Sequence, residues 1–258
     1  MLLYPPKTNP YLPVQLPNMI YAILGDIHGN LEALEAVLED AKAYQVEAYI
    51  STGDLVGYGA DPSACVELIQ SLNAEVVMGN HDLRATQCDL WSRFPFSRKT
   101  TASWTHEQLT KSQRRWLRSR PLVQKKGEVT CVHASLHEPA NWNYVLDTKA
   151  AQTHFRNQLT PICFIGHSHI PIAYLKKEQI YAGLFDTLII PSDAQVLVNV
   201  GSVGQPRDHD PRASYCLYDD VKRTITLRRI PYTISLAQKK IRAAGLPFKN
   251  AMRLEKGR

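Results

Sequence analysis

Short apolar runs alternate with segments of helical periodicity over the first third of the chain. Each apolar run ends in a polar signature, GD, GD or GNHD, as a buried strand that ends at a turn would. The two segments between them have apolar residues at helical spacing, with Asn30 as the N-cap of the first helix and Asp61 and Pro62 opening the second. This order predicts a parallel sheet with crossover helices. The predicted strands span residues 19–26, 47–54 and 74–82, and the predicted helices span 30–44 and 61–72.

The pattern changes after residue 82. Residues 82–120 predict a helical insertion of two helices, with Thr110 as an N-cap between them, packed near the edge of the sheet or over the site. Strand patterns then return, and their spacing predicts a second, more antiparallel sheet. We expect an α/β (α+β) fold with two stacked mixed β-sheets flanked by helices, formed by one domain over residues 19–258 after a Pro-rich arm, residues 1–18. The later strands are predicted at residues 128–135, 161–166, 172–175, 194–202, 213–219 and 224–230, and further helices at about 147–158 and 233–243.

The composition argues against several classes of protein. The chain has 258 residues, 44% of them hydrophobic and 21% charged, which is typical of a globular protein. No apolar run approaches the roughly 18–20 residues of a membrane span, and prolines interrupt any secretory signal, so we expect a cytoplasmic protein. The five cysteines are scattered without a C-x-x-C pair, which argues against a zinc ribbon or a disulfide framework. The net charge of +6 suits an anionic substrate without requiring nucleic acid.

Candidate metal-binding side chains follow the predicted strands. In parallel α/β sheets the carboxyl ends of the strands meet at one edge, where ligands bind, so these side chains should converge. Within an extended segment, residues i and i+2 point the same way, which would aim Asp26 with His28, and His167 with His169, at common points. Taken alone, the two histidines of FIGHSHIP could equally be packing residues of the core. The first three strands are followed by Asp26, His28, Asp54, Asn80, His81 and Asp82, and two later strands by His133, His167 and His169.

The chemistry of this set favours a cation. Carboxylate, amide and imidazole donors together suit manganese, iron or zinc better than magnesium, which prefers more oxygen ligands. Such a dense group of ionisable side chains would be costly to bury without a cation. The sequence therefore predicts a metal centre at the strand ends.

The ordered motifs D-x-H, G-D-x-x-G, G-N-H-D, H and G-H-x-H, over roughly residues 19–205, resemble those of the calcineurin-like metallophosphoesterase superfamily. GDLVGYGADP and GSVGQPRDHDPRASY are similar to its smaller bacterial members. The resemblance implies a four-layer metallophosphoesterase sandwich and two divalent ions, with Mn²⁺ expected first and Fe or Zn as alternatives. It assigns Asp54 to both ions as a bridge. It further assigns Asp26, His28 and His169 to the first ion, and Asn80, His133 and His167 to the second.

The same resemblance implies a reaction. Hydroxide derived from a water shared between the metals would attack phosphorus, which makes the protein a metal-dependent phosphatase or phosphodiesterase. His81 would contact the phosphate and protonate the leaving oxygen, and Asp82 is a candidate to orient His81.

The chain departs from the superfamily's protein phosphatases, which carry GDxVDRG and RGNHE. Here Gly57 stands where an aspartate would orient the catalytic histidine, and Tyr58 and Met78 stand at two arginine positions. We therefore expect small phosphodiesters or nucleotides as substrates. Arg84, next to GNHD, and Arg207, on a Gly-rich loop, are candidate substrate-binding groups, with surface ion pairs as the alternative.

Other functions are possible from the sequence alone. A phosphoprotein phosphatase and a non-catalytic metal-binding scaffold are the alternatives, although a scaffold would not need His81. The basic run at 111–126 could bind nucleic acid, but a solvated helix face is favoured. The expected partner is a small phosphorylated molecule, with no membrane and no nucleic acid. The sequence does not determine the oligomeric state.

Overall fold

Two six-stranded mixed sheets occupy the centre of the protein in a computed structural model that describes residues 19–87 and 96–258, with residues 96–100 described as backbone only. The strand order is β3-β2-β1-β11-β12-β9 in the first sheet and β4-β5-β6-β10-β7-β8 in the second. The strands are β1 Ile20–Leu24, β2 Ala48–Ser51, β3 Glu75–Val76, β4 Val123–Lys126, β5 Val129–Val132, β6 Ile162–Ile165, β7 Ile172–Lys176, β8 Ile180–Gly183, β9 Thr187–Ile189, β10 Gln195–Asn199, β11 Ala213–Asp219 and β12 Thr224–Ile230.

Eight α-helices lie within the described residues. They are α1 Leu31–Ala43, α2 Pro62–Ser71, α3 Asn80–Thr86, α4 Phe96–Gln108, α5 Lys111–Arg118, α6 Thr148–Phe155, α7 Ile234–Ala243 and α8 Phe248–Lys256. None of the helices among the described residues is long and apolar enough to cross a membrane.

Local capping explains where several helices begin. The Asn30 side chain accepts a hydrogen bond from the Ala33 N–H at 3.3 Å, as predicted for the start of α1. Thr110 and Gln113 form a reciprocal capping box that separates α4 from α5. Asp61 was expected to cap α2, but its side chain makes no capping bond and instead accepts a hydrogen bond from Lys240 Nζ at 3.0 Å.

The layers follow from side chains that alternate across the sheets. On β1, Leu24 packs in the core shared with α1 and α2, whereas Ile23 packs in the core between the sheets with Phe164 and Val198. On the outer face of the second sheet, Phe155 of α6 lies in a third buried cluster. Helix, sheet, sheet and helix therefore form the four layers that the resemblance implied.

The predicted division of strands between the sheets was wrong in one respect. The late strands were expected to form a separate, more antiparallel sheet, but β11 pairs antiparallel with β1, and β12 and β9 extend the first sheet beyond it. The physical reason is burial. All seven residues of β11 are buried, and its position beside β1 covers the edge that β2 leaves open.

The third predicted strand is also shorter than expected. Residues 74–82 contain only the two-residue β3, and α3 begins inside the GNHD motif at Asn80. Strands β4, β8 and β9 and helix α8 were not predicted. The two helices of the insertion are confirmed as α4 and α5, whereas residues 88–95 of the insertion and the arm at residues 1–18 lie outside the described residues. The domain limits stay a prediction.

Candidate metal centre

The predicted ligands converge where the carboxyl ends of parallel strands from both sheets meet. Strands β1, β2 and β3 are parallel in the first sheet, and β5, β6 and β10 are parallel in the second. The loops after five of these strands carry the metal-ligand candidates, and the loop after β10 carries Arg207. All seven predicted ligands are buried: Asp26, His28, Asp54, Asn80, His133, His167 and His169.

The backbone at this edge is left-handed rather than extended. Positive φ angles of 51–66° occur at Asp26, His28, Asp54, His167 and His169. The expectation that pleat alternation would aim paired ligands was therefore wrong, since β1 ends at Leu24 and the ligand loop turns after it. A non-glycine residue in this region costs roughly 1–2 kcal/mol, so the surrounding hydrogen bonds must hold these turns.

The ligand atoms fall into two groups. Asp26, His28 and His169 form one, and Asp54, His133 and His167 form the other, with the ligand atoms of each group within 4.8 Å of one another. Asp54 lies between them, since its Oδ2 is 3.7 Å from His28 Nε2 and 3.3 Å from His133 Nε2. This position is the one a shared ligand would occupy.

Hydrogen bonds on the far side of the rings orient three of the histidines. Nδ1 of each ring lies within hydrogen-bond distance of a backbone carbonyl, so an Nδ1–H that donates there leaves the Nε2 lone pair directed inward. The pairs are His28 with Val56 at 3.0 Å, His133 with Thr52 at 2.8 Å and His169 with Gln205 at 2.6 Å.

Several atoms that face the interior of the site would be hydrogen-bond acceptors opposite other acceptors. Such atoms repel one another unless a cation lies between them. Asp26 Oδ1 is buried and accepts no hydrogen bond from any described residue. His28 Nε2 lies 3.1 Å from His169 Nε2, and His133 Nε2 lies 3.1 Å from Asn80 Oδ1. Turning the Asn80 amide over would let its nitrogen donate to the imidazoles, but the inward oxygen suits a metal. Buried oxygen and imidazole acceptors of this kind fit divalent cations.

The electrostatics of the site differ between its histidines. Burial lowers the pKa of His28 and of His167 to about 3. Burial also lowers the pKa of His133, but the negative charge of Asp54 and the hydrogen bond to it outweigh this effect and raise the pKa to about 9. A proton on His133 thus balances the negative charge of Asp54, as a bound cation would.

His81 lies at the open side of the centre with both predicted arginines. A cleft of about 240 Å³ is lined by His81, Arg84 and Arg207 together with four of the predicted ligands. Arg84 Nη1 lies 3.4 Å from His81 Nε2, and Arg207 Nη2 lies 3.4 Å from the Tyr58 hydroxyl. The structure therefore brings together the groups that the sequence suggested for phosphate binding.

The ring of His81 lies where a side chain at position 57 would be, and the glycine at this position leaves that space open. A Cβ at residue 57 would lie 2.6 Å from His81 Nδ1, and φ there is +93°. Tyr58 packs beside the same ring at 4.5 Å between ring centroids. Packing against these two residues, rather than a carboxylate at position 57, therefore positions His81.

The contacts of Asp82 differ from the expected role. Its Oδ2 accepts hydrogen bonds from the N–H groups of Asp54 at 2.8 Å and Gly79 at 3.0 Å, and its Oδ1 accepts one from Val56 at 3.3 Å. Burial and the charge of Asp54 raise the pKa of Asp82 to about 7. The backbone N–H bonds favour the ionised form and lower the pKa, but they do not outweigh these two effects. Both oxygens are thus engaged by the backbone of the Asp54 loop. Among the described residues its carboxylate makes no hydrogen bond to the ring of His81, and an orienting role for Asp82 stays a prediction.

Two aromatic residues at the site were missed from the sequence. The ring of Tyr144 stacks on His167 at 4.1 Å, and Trp142 meets His133 edge-on at 5.7 Å. Both lie after a short 3₁₀ turn, Pro139–Asn141, and line the cleft. No motif marks them, and only their nearness to His133 in the chain could have suggested them.

Comparison with known proteins bears on this arrangement. The model of the calcineurin-like phosphoesterase superfamily domain matches residues 19–223. An uncharacterized protein of Methanocaldococcus jannaschii is 36% identical over 242 residues, which are 92% of this chain and 98% of that protein. The crystal structure of a metallophosphoesterase from Sphaerobacter thermophilus is 35% identical and superposes with a TM-score of 0.82, covering 93% of this chain and 100% of that one.

A further similarity is partial. The symmetrical bis(5'-nucleosyl)-tetraphosphatase of Glaesserella parasuis is 38% identical over 106 residues, which are 39% of this chain and 38% of that enzyme. The chain therefore spans well under half the length of this relative.

Proposed function

The chain belongs to the calcineurin-like phosphoesterase superfamily, and we propose that it is a two-metal hydrolase of small phosphodiesters or nucleotides. Its hydrolytic class, a metal-dependent phosphoesterase, follows from the family. The observation that supports the two-metal form is the pair of adjoining acceptor groups with Asp54 Oδ2 between them.

The chain offers a complete set of ligands for two ions. Asp26, His28 and His169 would hold one ion, and Asn80, His133 and His167 the other, with Asp54 shared between them. We propose Mn²⁺, because mixed carboxylate, amide and imidazole donors suit it. When bound, the ions would supply Lewis-acid charge to the phosphoryl oxygens and lower the pKa of the attacking water.

His81 is the proposed proton donor to the leaving oxygen. Burial lowers the pKa of His81 well below its ordinary value of 6.5, so the ring is neutral when no substrate is bound. A phosphate anion against the ring would favour its protonated form, which is the form that a general acid needs. The backbone N–H of His81 donates to Asp54 Oδ1 at 2.7 Å, which ties the position of the donor to the metal centre.

Arg207 and Arg84 are the proposed binding groups for the phosphate. Both line the cleft with His81, and planar guanidinium groups can hold two phosphate oxygens at once. Tyr144, which is 49% exposed, stands at the same cleft and offers a face on which a nucleobase could stack. The tetraphosphatase of Glaesserella parasuis, similar in part of its length, supports a nucleotide-like substrate.

The decisive experiment separates metal binding from proton transfer. Chelation should abolish hydrolysis of 4-nitrophenyl phosphate, its bis-ester and nucleotide substrates, and added Mn²⁺ should restore it. Asp54→Asn should lower the bound metal, measured by elemental mass spectrometry. His81→Ala should keep the metal and lose roughly 10²–10⁴-fold in turnover. Full activity in chelator-treated protein, or an equal loss of metal in both variants, would contradict the proposal.

A further inference from the structure

We infer that helix α8 completes a second, cationic cavity beside His81, which binds a phosphate-bearing leaving group. This inference rests on the proposed function and names the substrate class within it: compounds in which the group released from the attacked phosphorus carries phosphate itself. Helix α8 lies beyond residues 19–223, the part of the chain that the family model matches.

The second cavity adjoins the cleft of the metal centre. Its volume is about 390 Å³, within the size range of small-molecule sites. Tyr58, His81 and Arg84 line both spaces, so they form the wall between them. A substrate with its phosphoryl group at the metals would pass His81 on its way into this second space.

The walls of the cavity are held by contacts of α8. The Asn250 side chain donates to the Tyr58 carbonyl at 3.2 Å, which joins the helix to the GDLVGYG loop. Ala251 and Leu254, on the buried side of the helix, pack in a cluster that includes Trp104 of α4. The helix is therefore fixed between the metal-ligand loop and the insertion.

The charges that face the cavity are positive. Lys249 and Arg253 line it from the same face of α8, at i and i+4, and Arg84 lines it from α3. Among the described residues, the side chains of Lys249 and Arg253 have no hydrogen-bond or ion-pair partner, and none of the described residues that line the cavity is acidic. Like charges at i and i+4 repel one another, so an anion between them would relieve that repulsion. Lys and Arg side chains bind phosphate through short charge-assisted hydrogen bonds, so a phosphate group suits these walls.

The position of His81 determines which part of the substrate enters. In hydrolysis, a water oxygen bonds to phosphorus and the water loses a proton. The bond from phosphorus to the leaving oxygen breaks, and that oxygen keeps the electron pair and takes a proton from His81. The leaving oxygen must therefore lie against His81, at the wall between the two spaces. The rest of the leaving group then lies beside Lys249 and Arg253.

The test compares two nucleotide substrates with Mn²⁺-loaded protein. Diadenosine tetraphosphate releases a phosphate-bearing nucleotide, whereas the 4-nitrophenyl ester of thymidine 5'-monophosphate releases uncharged or singly charged nitrophenol. In the double variant Lys249→Gln/Arg253→Gln, the ratio of kcat/KM for the first substrate to that for the second should fall about tenfold, the equivalent of about 1.4 kcal/mol. The inhibition constant of ADP should rise several-fold, while that of inorganic phosphate should stay within twofold. Both effects should shrink as salt is raised.

A matched control removes the same charge from surfaces outside the cavity. Arg242→Gln/Lys256→Gln, on exposed positions of α7 and α8, should leave the ratio and the ADP constant unchanged. An equal effect in both double variants, or an unchanged ratio in the Lys249 and Arg253 variant, would overturn the inference. If wild-type protein hydrolyses neither substrate, the proposed function fails instead. Calorimetry of ADP binding to metal-free wild-type and variant proteins then tests the cavity alone, and equal affinities would overturn it.

Discussion

Asp82→Asn tests whether this carboxylate supports the Asp54 loop or serves the reaction directly. In the structure Oδ2 accepts two N–H bonds, from Asp54 and Gly79, and Oδ1 accepts one from Val56. An asparagine oxygen could still accept the first two, as a neutral acceptor. The amide nitrogen would face the Val56 N–H, donor against donor.

The expected loss follows from these three contacts. Hydrogen bonds to charged acceptors contribute about 1 kcal/mol more than neutral ones, and a buried donor left unsatisfied costs about 1–3 kcal/mol. The three contacts together amount to roughly 3–5 kcal/mol, but the variant also removes a buried charge. Because burial and the charge of Asp54 raise the pKa of Asp82 to about 7, removal of its charge returns about 4 kcal/mol at pH 8, and the variant should lose no more than about 1 kcal/mol of unfolding free energy. For a chain of this size each kcal/mol lowers Tm by about 2–4 °C, so Tm should fall by no more than about 4 °C.

Calorimetric melting of chelator-treated protein at pH 8 measures this loss without the contribution of bound metal. Asp147→Asn is the matched control, because Asp147 accepts a single N–H bond, from Ala150 at 2.8 Å, at the exposed start of α6. Asparagine caps helices as well as aspartate does. The Asp147→Asn variant should therefore have the same Tm as the wild type. A fall in Tm of more than about 10 °C for Asp82→Asn would refute this balance. A fall in turnover with unchanged metal content would refute the role of Asp82 in the Asp54 loop and favour it as an orienting residue for His81.

Three further predictions concern substrate binding by Arg207, the loop that carries Asp26 and His28, and stability at acid pH. Arg207→Ala should lower kcat/KM by about one to two decades without loss of metal, since a charged contact contributes roughly 1.5–3 kcal/mol; wild-type kinetics would contradict this. Gly204→Ala should lower metal content, measured by elemental analysis, because its Cβ would collide with the backbone carbonyl of Ile27, whereas Gly183→Ala, in open space, should not. Burial lowers the pKa of His154 from 6.5 to about 4, so below pH 6.5 the unfolded chain binds the proton more readily. His154 should therefore contribute about 2–3 kcal/mol to the stability lost between pH 7 and 4.5, measured by denaturant titration as the difference between the wild type and a His154→Gln variant; equal losses in the two proteins would show that other groups are responsible.

Much of the candidate metal centre was predictable because its residues follow strands in short motifs. Asn30 and Thr110 cap helices through local hydrogen bonds, which sequence patterns record well. The pairing of β11 with β1 joins segments far apart in the chain, and no local pattern records such a contact. The left-handed turns at ligands such as Asp26 and His169 escaped prediction for a related reason: tertiary contacts impose them on residues that do not prefer them.

Helix α8 shows the limit of motif-based prediction most clearly. Lys249 and Arg253 belong to no motif, and only the packing of Ala251 and Leu254 brings them beside His81. Asp82 follows His81 directly in the chain, but the turn into α3 directs its carboxylate towards the loop of Asp54, a contact that adjacency does not reveal.

The pairing of β11 with β1 has a consequence for synthesis on the ribosome. Strand β1 ends at residue 24, but its antiparallel neighbour begins only at residue 213. At 5–20 residues per second, roughly 10–40 s separate the emergence of the two strands. Throughout that time β1 has an unpaired edge, the kind of surface on which nascent chains associate wrongly. Fragments that stop before β11 should therefore need chaperones or should aggregate, even though every one of the predicted metal ligands has already been made.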